Sequence, residues 1–291
     1  MKKINLLFLA LFALSCSKES VEQNVTQDEN IASLIGKLGF STNSIITKGD
    51  SIWVEGDMLL LKSKLLKTSP RQATLFQGKY NLVGNANDNI GSFIKYYISP
   101  NLADHNSIQS ALEEFQNVSA NVLAGFPVGS VQYVKNSMSV TKVLDPSQAN
   151  IIIEEYYKDD KRYGYGEWPT YIPAPNMISF AKLVVGNKIH LNSLYWNGLS
   201  SAQKKYLVAH EFGHTIGLRH TDWKGKESEY EYVNGALVGA YTVINTPNNS
   251  NNPDPSSVFN SGGTGGVPNW AGFTYNDIKA IFYTTNGALV Q

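Results

Sequence analysis

The stretch that decides the fold is His210-Glu211-Phe212-Gly213-His214-Thr215-Ile216-Gly217-Leu218-Arg219-His220, which holds three of the chain's five histidines. Upstream, Ser200-Ser201-Ala202-Gln203 has the form of a capping box and predicts a helix through Tyr206, Leu207 and Ala209 into the motif. On that helix His210 and His214 lie about 40° apart around the axis and about 6 Å apart along it. Two imidazoles so placed can meet one Zn²⁺ at about 2.0–2.1 Å each. Glu211 points about 100° away from His210, outside the ligand set but within reach of water held there. Gly217 can take positive φ, end the helix and swing the chain back so that His220 becomes a third ligand. Three protein ligands leave one position open, the mark of a catalytic site. A closed structural site or a set of surface histidines gives no reason for the glutamate after the first histidine or the glycine between the second and third.

This motif resembles that of the metzincin zinc peptidases. The closer resemblance is to the dual-action HEIGH metallopeptidases, through His210–Trp223, the turn Asp254–Asn260 and Val54-Glu55-Gly56-Asp57. The resemblance implies an α+β fold: a twisted, mostly parallel sheet with an antiparallel edge strand and two long helices, above a smaller C-terminal subdomain. It implies a zinc-dependent endopeptidase in which Glu211 is the general base and His210, His214 and His220 hold Zn²⁺. It also implies that the edge strand, placed at Lys188–Asn192, binds peptide in extended form. Metzincins carry a methionine turn beneath the metal. Here no methionine follows Met177, and Phe259 in Asp254–Asn260 takes that place, a bulkier and stiffer floor. Val54–Met58 further resembles the astacin pro-segment, in which an aspartate caps the zinc. Asp57 is therefore a candidate inhibitory ligand, with a plain turn aspartate as the other reading. Pro70-Arg71-Gln72-Ala73 resembles the cleavage junction that follows such a segment. Asp222 is read either as a support for His220 or as a solvated carboxylate. His190 is read either as a strand histidine or as a fourth ligand.

Outward from the motif, apolar spacing predicts a helix at Ser107–Val118, with Ile108, Ala111, Leu112 and Phe115 on one face. It predicts strands at Phe93–Ile98, Val131–Val134, Ile151–Tyr156, Ile178–Val185 and Lys188–Asn192. Ile31, Leu34, Ile35 and Leu38 share a helical face, and Ile52–Leu61 reads as strand around Gly56. Thr274-Tyr275-Asn276-Asp277 caps a last helix carrying Ile278, Ile281 and Phe282. Strands mixed with helices indicate an α/β or α+β domain.

At the N-terminus, Lys2 and Lys3 precede a short apolar stretch that ends in Ala13-Leu14-Ser15-Cys16. That run is too short to span a bilayer and has the form of a signal core. Its end resembles a lipobox, so the sole cysteine, Cys16, is the expected lipidation site, with an ordinary secretory signal followed by an unused thiol as the other reading. The expected organisation is a signal peptide at 1–15, a tether at 16–30, a pro-like segment at 31–71 and a catalytic domain at 72–291. Export with lipid anchoring to a bacterial membrane follows, and the anchor is the only expected membrane contact. The chain has 24 basic and 24 acidic residues. Removing Lys2 and Lys3 leaves 22 against 24, near −2, which lacks the basic footprint of a nucleic-acid binder. The expected partner is a protein or peptide substrate. A metal-binding lipoprotein or adhesion module without proteolysis is the alternative.

Overall fold

The structure, a computed structural model, describes residues 27–38, 40, 42, 45–65, 80–84, 87, 93–118, 138–172, 181–221, 232–233, 236–237, 254–261 and 266–285. Cys16, Arg71, Asp222 and the expected strand at 131–134 lie outside these residues. Among the described residues no helix is long and apolar enough to cross a membrane.

The fold is mixed α/β, consistent with the α+β expectation. It begins with helix α1 (Gln27–Lys37), which starts inside the stretch read as tether. Strands β1 (Ile46–Lys48), β2 (Ser51–Val54) and β3 (Met58–Leu61) follow, then a short helix α2 (Lys62–Leu65). After β4 (Tyr80–Val83) come β5 (Phe93–Ile98), helix α3 (His105–Asn117), β6 (Ser139–Lys142) and β7 (Ile151–Tyr156). Next are β8 (Gly164–Glu167), β9 (Thr170–Ile172), β10 (Ala181–Val184) and β11 (Lys188–Asn192). Helices α4 (Ser193–Trp196) and α5 (Ser201–Thr215) lead to the short pair β12 (Tyr232–Val233) and β13 (Ala236–Leu237). Helix α6 (Tyr275–Thr285) is the last described element.

Eight strands form the main sheet in the order β1-β2-β3-β8-β11-β7-β5-β6. Four of the seven pairings are parallel, namely β3–β8, β11–β7, β5–β7 and β5–β6. The other three, β1–β2, β2–β3 and β8–β11, are antiparallel. The expectation of Lys188–Asn192 as the edge strand is corrected here. β11 pairs with β7 on one side and β8 on the other, and Ile189 and Leu191 are fully buried. Standing just before the active-site helix in sequence does not fix a strand's place in a sheet; long-range pairing does. β8, which runs antiparallel to β11, is covered on its outer side by β3 from the N-terminal segment.

Two cores result. The larger joins the strands to α3, α5 and α6, and the predicted face of α3 (Ile108, Ala111, Leu112, Phe115) is buried in it. The smaller packs Ile31, Ile35, Phe40, Ile52, Val54, Met58, Leu60 and Leu65 around Trp168. The N-terminal segment is thus seated by apolar burial as well as by the β3–β8 pairing.

Within the larger core Phe115 meets Phe212 at 4.6 Å and Phe273 at 4.8 Å between ring centroids, and Phe259 stacks on Phe273 at 6.1 Å. The Phe259 ring fits against α5 because Gly213 has no side chain. A Cβ there would stand 2.1 Å from a Phe259 ring carbon, so the ring or the helix would have to move. Alanine is normally the better helix residue by about 1 kcal/mol, but overpacking of this kind costs about 1–3 kcal/mol and sometimes more. Gly213→Ala is therefore expected to lower the thermal midpoint. Gly198→Ala, whose added carbon would meet only the Tyr195 carbonyl at 3.5 Å, is expected to stay within about 0.5 kcal/mol of the parent. Equal melting curves for the two variants would contradict this packing.

Candidate metal centre

The predicted capping box opens α5. The Ser200 hydroxyl accepts from the Gln203 N–H at 3.2 Å, and the Gln203 side chain accepts from the Ser200 N–H at 3.0 Å. The helix ends at Gly217, whose φ is 96°. The Leu218 N–H bonds the Gly213 carbonyl at 2.9 Å and the Gly217 N–H bonds the His214 carbonyl at 3.1 Å, the paired closure of a left-handed cap. This reversal brings His220 back to the helix.

The structure brings His210, His214 and His220 together. The Nε2 atoms of His210 and His214 are 3.0 Å apart, and those of His210 and His220 are 3.2 Å apart. Tetrahedral ligands at about 2.05 Å from one ion stand about 3.3 Å from each other. The far sides of two rings are already fixed. His210 Nδ1 donates to the Val258 carbonyl at 2.7 Å, and His214 Nδ1 donates to the Leu218 carbonyl at 2.7 Å. With the proton on Nδ1, each Nε2 presents a lone pair toward the other, which repels unless a cation lies between them. The donor set, buried and fixed from behind, fits a divalent metal.

Asp57, at the tip of the β2–β3 hairpin, completes the cluster. Its carboxylate lies 3.3 Å from His210 Nε2, 3.5 Å from His214 Nε2 and 3.2 Å from His220 Nε2. These four residues form a group able to hold a metal ion. Burial works against ionisation of Asp57, but the imidazoles, His220 foremost, hold its pKa well below the usual carboxylate range. Burial also opposes charge on His210, yet the hydrogen bond and charge of Asp57 raise its pKa to about 9. Burial and the charge of His210 keep His214 well below its ordinary value.

Glu211 is fully buried beside the cluster. Its Oε2 has no hydrogen-bond partner among the described residues. Burial, then the neighbouring Asp57 charge, push its pKa well above the carboxylate range. Space for it comes from β8, where Gly164 and Gly166 face the helix: a Cβ on Gly164 would lie 3.2 Å from Glu211 Oε1. Phe259 packs against the helix at Gly213, within the turn whose Val258 carbonyl holds His210. His190 is not in the cluster. It stacks on Tyr165 at 4.4 Å and lies 3.3 Å from Glu154, and burial brings its pKa down to about 4.

One contact the sequence reading missed is between Glu55 and Arg219. The two side chains form a buried ion pair, and the Glu55 carboxylate also lies 3.6 Å from His220 Nδ1. The Arg219 guanidinium caps the Phe40 ring at 4.5 Å. Glu55 has φ of 51° and Gly56 φ of 97°. Holding a non-glycine residue in the left-handed region costs about 1–2 kcal/mol, and pairing with Arg219 helps offset it. The only sequence signal was the Glu-Gly pair itself, which marks a turn but no partner.

Residues 189–284 match the family model described as dual-action HEIGH metallo-peptidase. No curated protein matches the chain. The matched segment contains all three clustered histidines, Glu211 and the Phe259 turn, whereas Asp57 and Glu55 lie before it. Over residues 189–284 the chain is therefore similar to the dual-action HEIGH metallo-peptidases, the family that the histidine motif resembles.

Proposed function

We propose that the protein is a zinc-dependent endopeptidase held latent by its own N-terminal hairpin. The observation that carries this reading is the convergence of three buried imidazole Nε2 atoms, two fixed from behind by carbonyls, beside a buried carboxylate with an unpartnered oxygen. His210, His214 and His220 would hold the metal, and their nitrogen donors suit Zn²⁺. When bound, zinc supplies Lewis acidity, making water acidic enough to attack at neutral pH and polarising the carbonyl under attack.

Glu211 is assigned as general base. It takes the proton from the attacking water and passes it to the nitrogen of the leaving amine. Gly164 and Gly166 keep β8 close to α5, shielding this carboxyl from bulk water. An extended peptide would lie along the edge of β8 that β3 covers, pairing through the main chain.

Asp57 is assigned as the inhibitory ligand. Three contacts favour that role: its carboxylate reaches all three imidazoles, its carbonyl accepts from the Gly166 N–H at 3.1 Å, and β3 runs along β8 beyond it. The Glu55–Arg219 and Lys64–Glu167 ion pairs fasten the hairpin on either side. Cleavage near Arg71 would let the segment leave. The pattern Lys2-Lys3 through Cys16 supports export and lipid attachment of the uncut chain.

Two variants test this reading. Glu211→Ala should still bind one zinc but digest casein about 10²–10⁴-fold more slowly, both intact and after limited trypsin treatment. Parent-like hydrolysis would remove Glu211 as the base. Asp57→Ala should raise the chelator-sensitive activity of the uncut chain at least about tenfold, as loss of a competing ligand worth about 1.4 kcal/mol requires. Unchanged activity would remove the latency assignment. Zinc binding without hydrolysis in every form would favour the non-proteolytic alternative.

A further inference from the structure

Asp277 is almost fully buried, yet it lies 57 positions beyond the last clustered histidine, His220. In sequence it is a helix cap, and it performs that role: its N–H donates to Thr274 Oγ1 at 3.1 Å and its Oδ2 accepts from the Thr274 N–H at 3.0 Å. A cap would leave the rest of the carboxylate to solvent. Instead Oδ2 also accepts from the Val258 N–H at 3.0 Å, and Oδ1 accepts from the Ser257 hydroxyl.

Those two further bonds lead to the metal centre through one peptide group. Ser257 Oγ, whose hydroxyl donates to Asp277, accepts from the Phe259 N–H at 3.0 Å. That N–H shares a peptide unit with the Val258 carbonyl, which accepts from His210 Nδ1 at 2.7 Å. Carboxylate, hydroxyl, amide and imidazole thus form one directed chain, in which each acceptor is strengthened by the bond before it. The same turn also holds the chain next to a second clustered histidine. The Phe259 carbonyl accepts from the Thr221 N–H at 2.9 Å, directly after His220. Asn276, beside Asp277, holds the start of the turn by donating to Asp254 at 3.0 Å.

We infer that Asp277 is a positioning residue for the metal centre. Acting through Ser257 and the 258–259 peptide, it fixes the orientation of His210 and strengthens that ring's donor nitrogen. The turn carries no methionine and its aromatic floor only packs, so polar bonds align it, and the relay is the set of them that ends on His210. The role rests on the metal reading above, and it concerns ligand geometry, not proton transfer: Asp277 touches no reacting atom. Removal of partners that orient a ligating histidine commonly weakens metal binding about 10–100-fold.

The test uses the full chain and Co²⁺, whose visible ligand-field spectrum reports coordination geometry. Asp277→Asn puts a donor where three donors already converge, and Ser257→Ala cuts the relay while leaving Asp277 in place. Ile281→Ala, on the same helix and fully buried, shortens an apolar side chain that makes none of the relay's hydrogen bonds and controls for lost stability. Both relay variants should bind Co²⁺ about tenfold or more weakly and show a changed ligand-field spectrum. Ile281→Ala should melt earlier but keep the parent's affinity and spectrum. Should Asp277→Asn fail to fold, Ser257→Ala carries the comparison alone. Parent-like affinity and spectrum in Ser257→Ala would reduce Asp277 to a helix cap and overturn the proposal. An equal spectral change in Ile281→Ala would overturn it as well, by tracing the effect to stability. A parent chain that takes up no Co²⁺ would remove the metal reading itself, and the positioning role with it.

Discussion

Three imidazole nitrogens pointed at one another inside a protein are mutually repulsive until something positive lies among them, and most features of this site answer that constraint. Two rings have their protons tied to carbonyls on the far side, which leaves their lone pairs facing inward. The carbonyls come from the chain reversal after Gly217 and from the 254–260 turn, so both segments are shaped by the need to hold a ring. Gly213 and Phe259 make the close contact that lets turn and helix meet.

The hairpin is more than a stray carboxylate at the site. It contributes a strand to the main sheet, a small apolar core around Trp168, and a buried ion pair from Glu55 to the residue before His220. Each contact is distant in sequence, and several fall on β8 or on the end of the histidine motif. On the proposed reading, a segment that occupies both the outer side of β8 and the histidine cluster would block binding and chemistry together, by steric and electrostatic means at once.

What the sequence disclosed and what it withheld divide by range. The helix through His210 and His214, its capping box and its left-handed end depend on residues within a few positions of each other, and all were legible. The strands at Phe93–Ile98, Ile151–Tyr156 and Lys188–Asn192 have the predicted bounds, since alternation is also local. Their order was not legible. Lys188–Asn192 is an interior strand because Gly164–Glu167, too glycine-rich to read as a strand, pairs outside it. The approach of Asp57 to histidines more than 150 residues away came from family likeness, not from periodicity. The Glu55–Arg219 pair and the second role of Asp277 gave no local signal, because a cap and a turn look the same whether or not a distant partner waits.

The proposed function requires one metal ion among His210, His214 and His220. X-ray absorption at the zinc edge on the purified full chain tests it most directly. The account predicts one zinc per chain with three imidazole nitrogens at about 2.0–2.1 Å and an oxygen ligand completing the shell. A chain without stoichiometric metal, or an ion bound by fewer than three imidazoles, would contradict it.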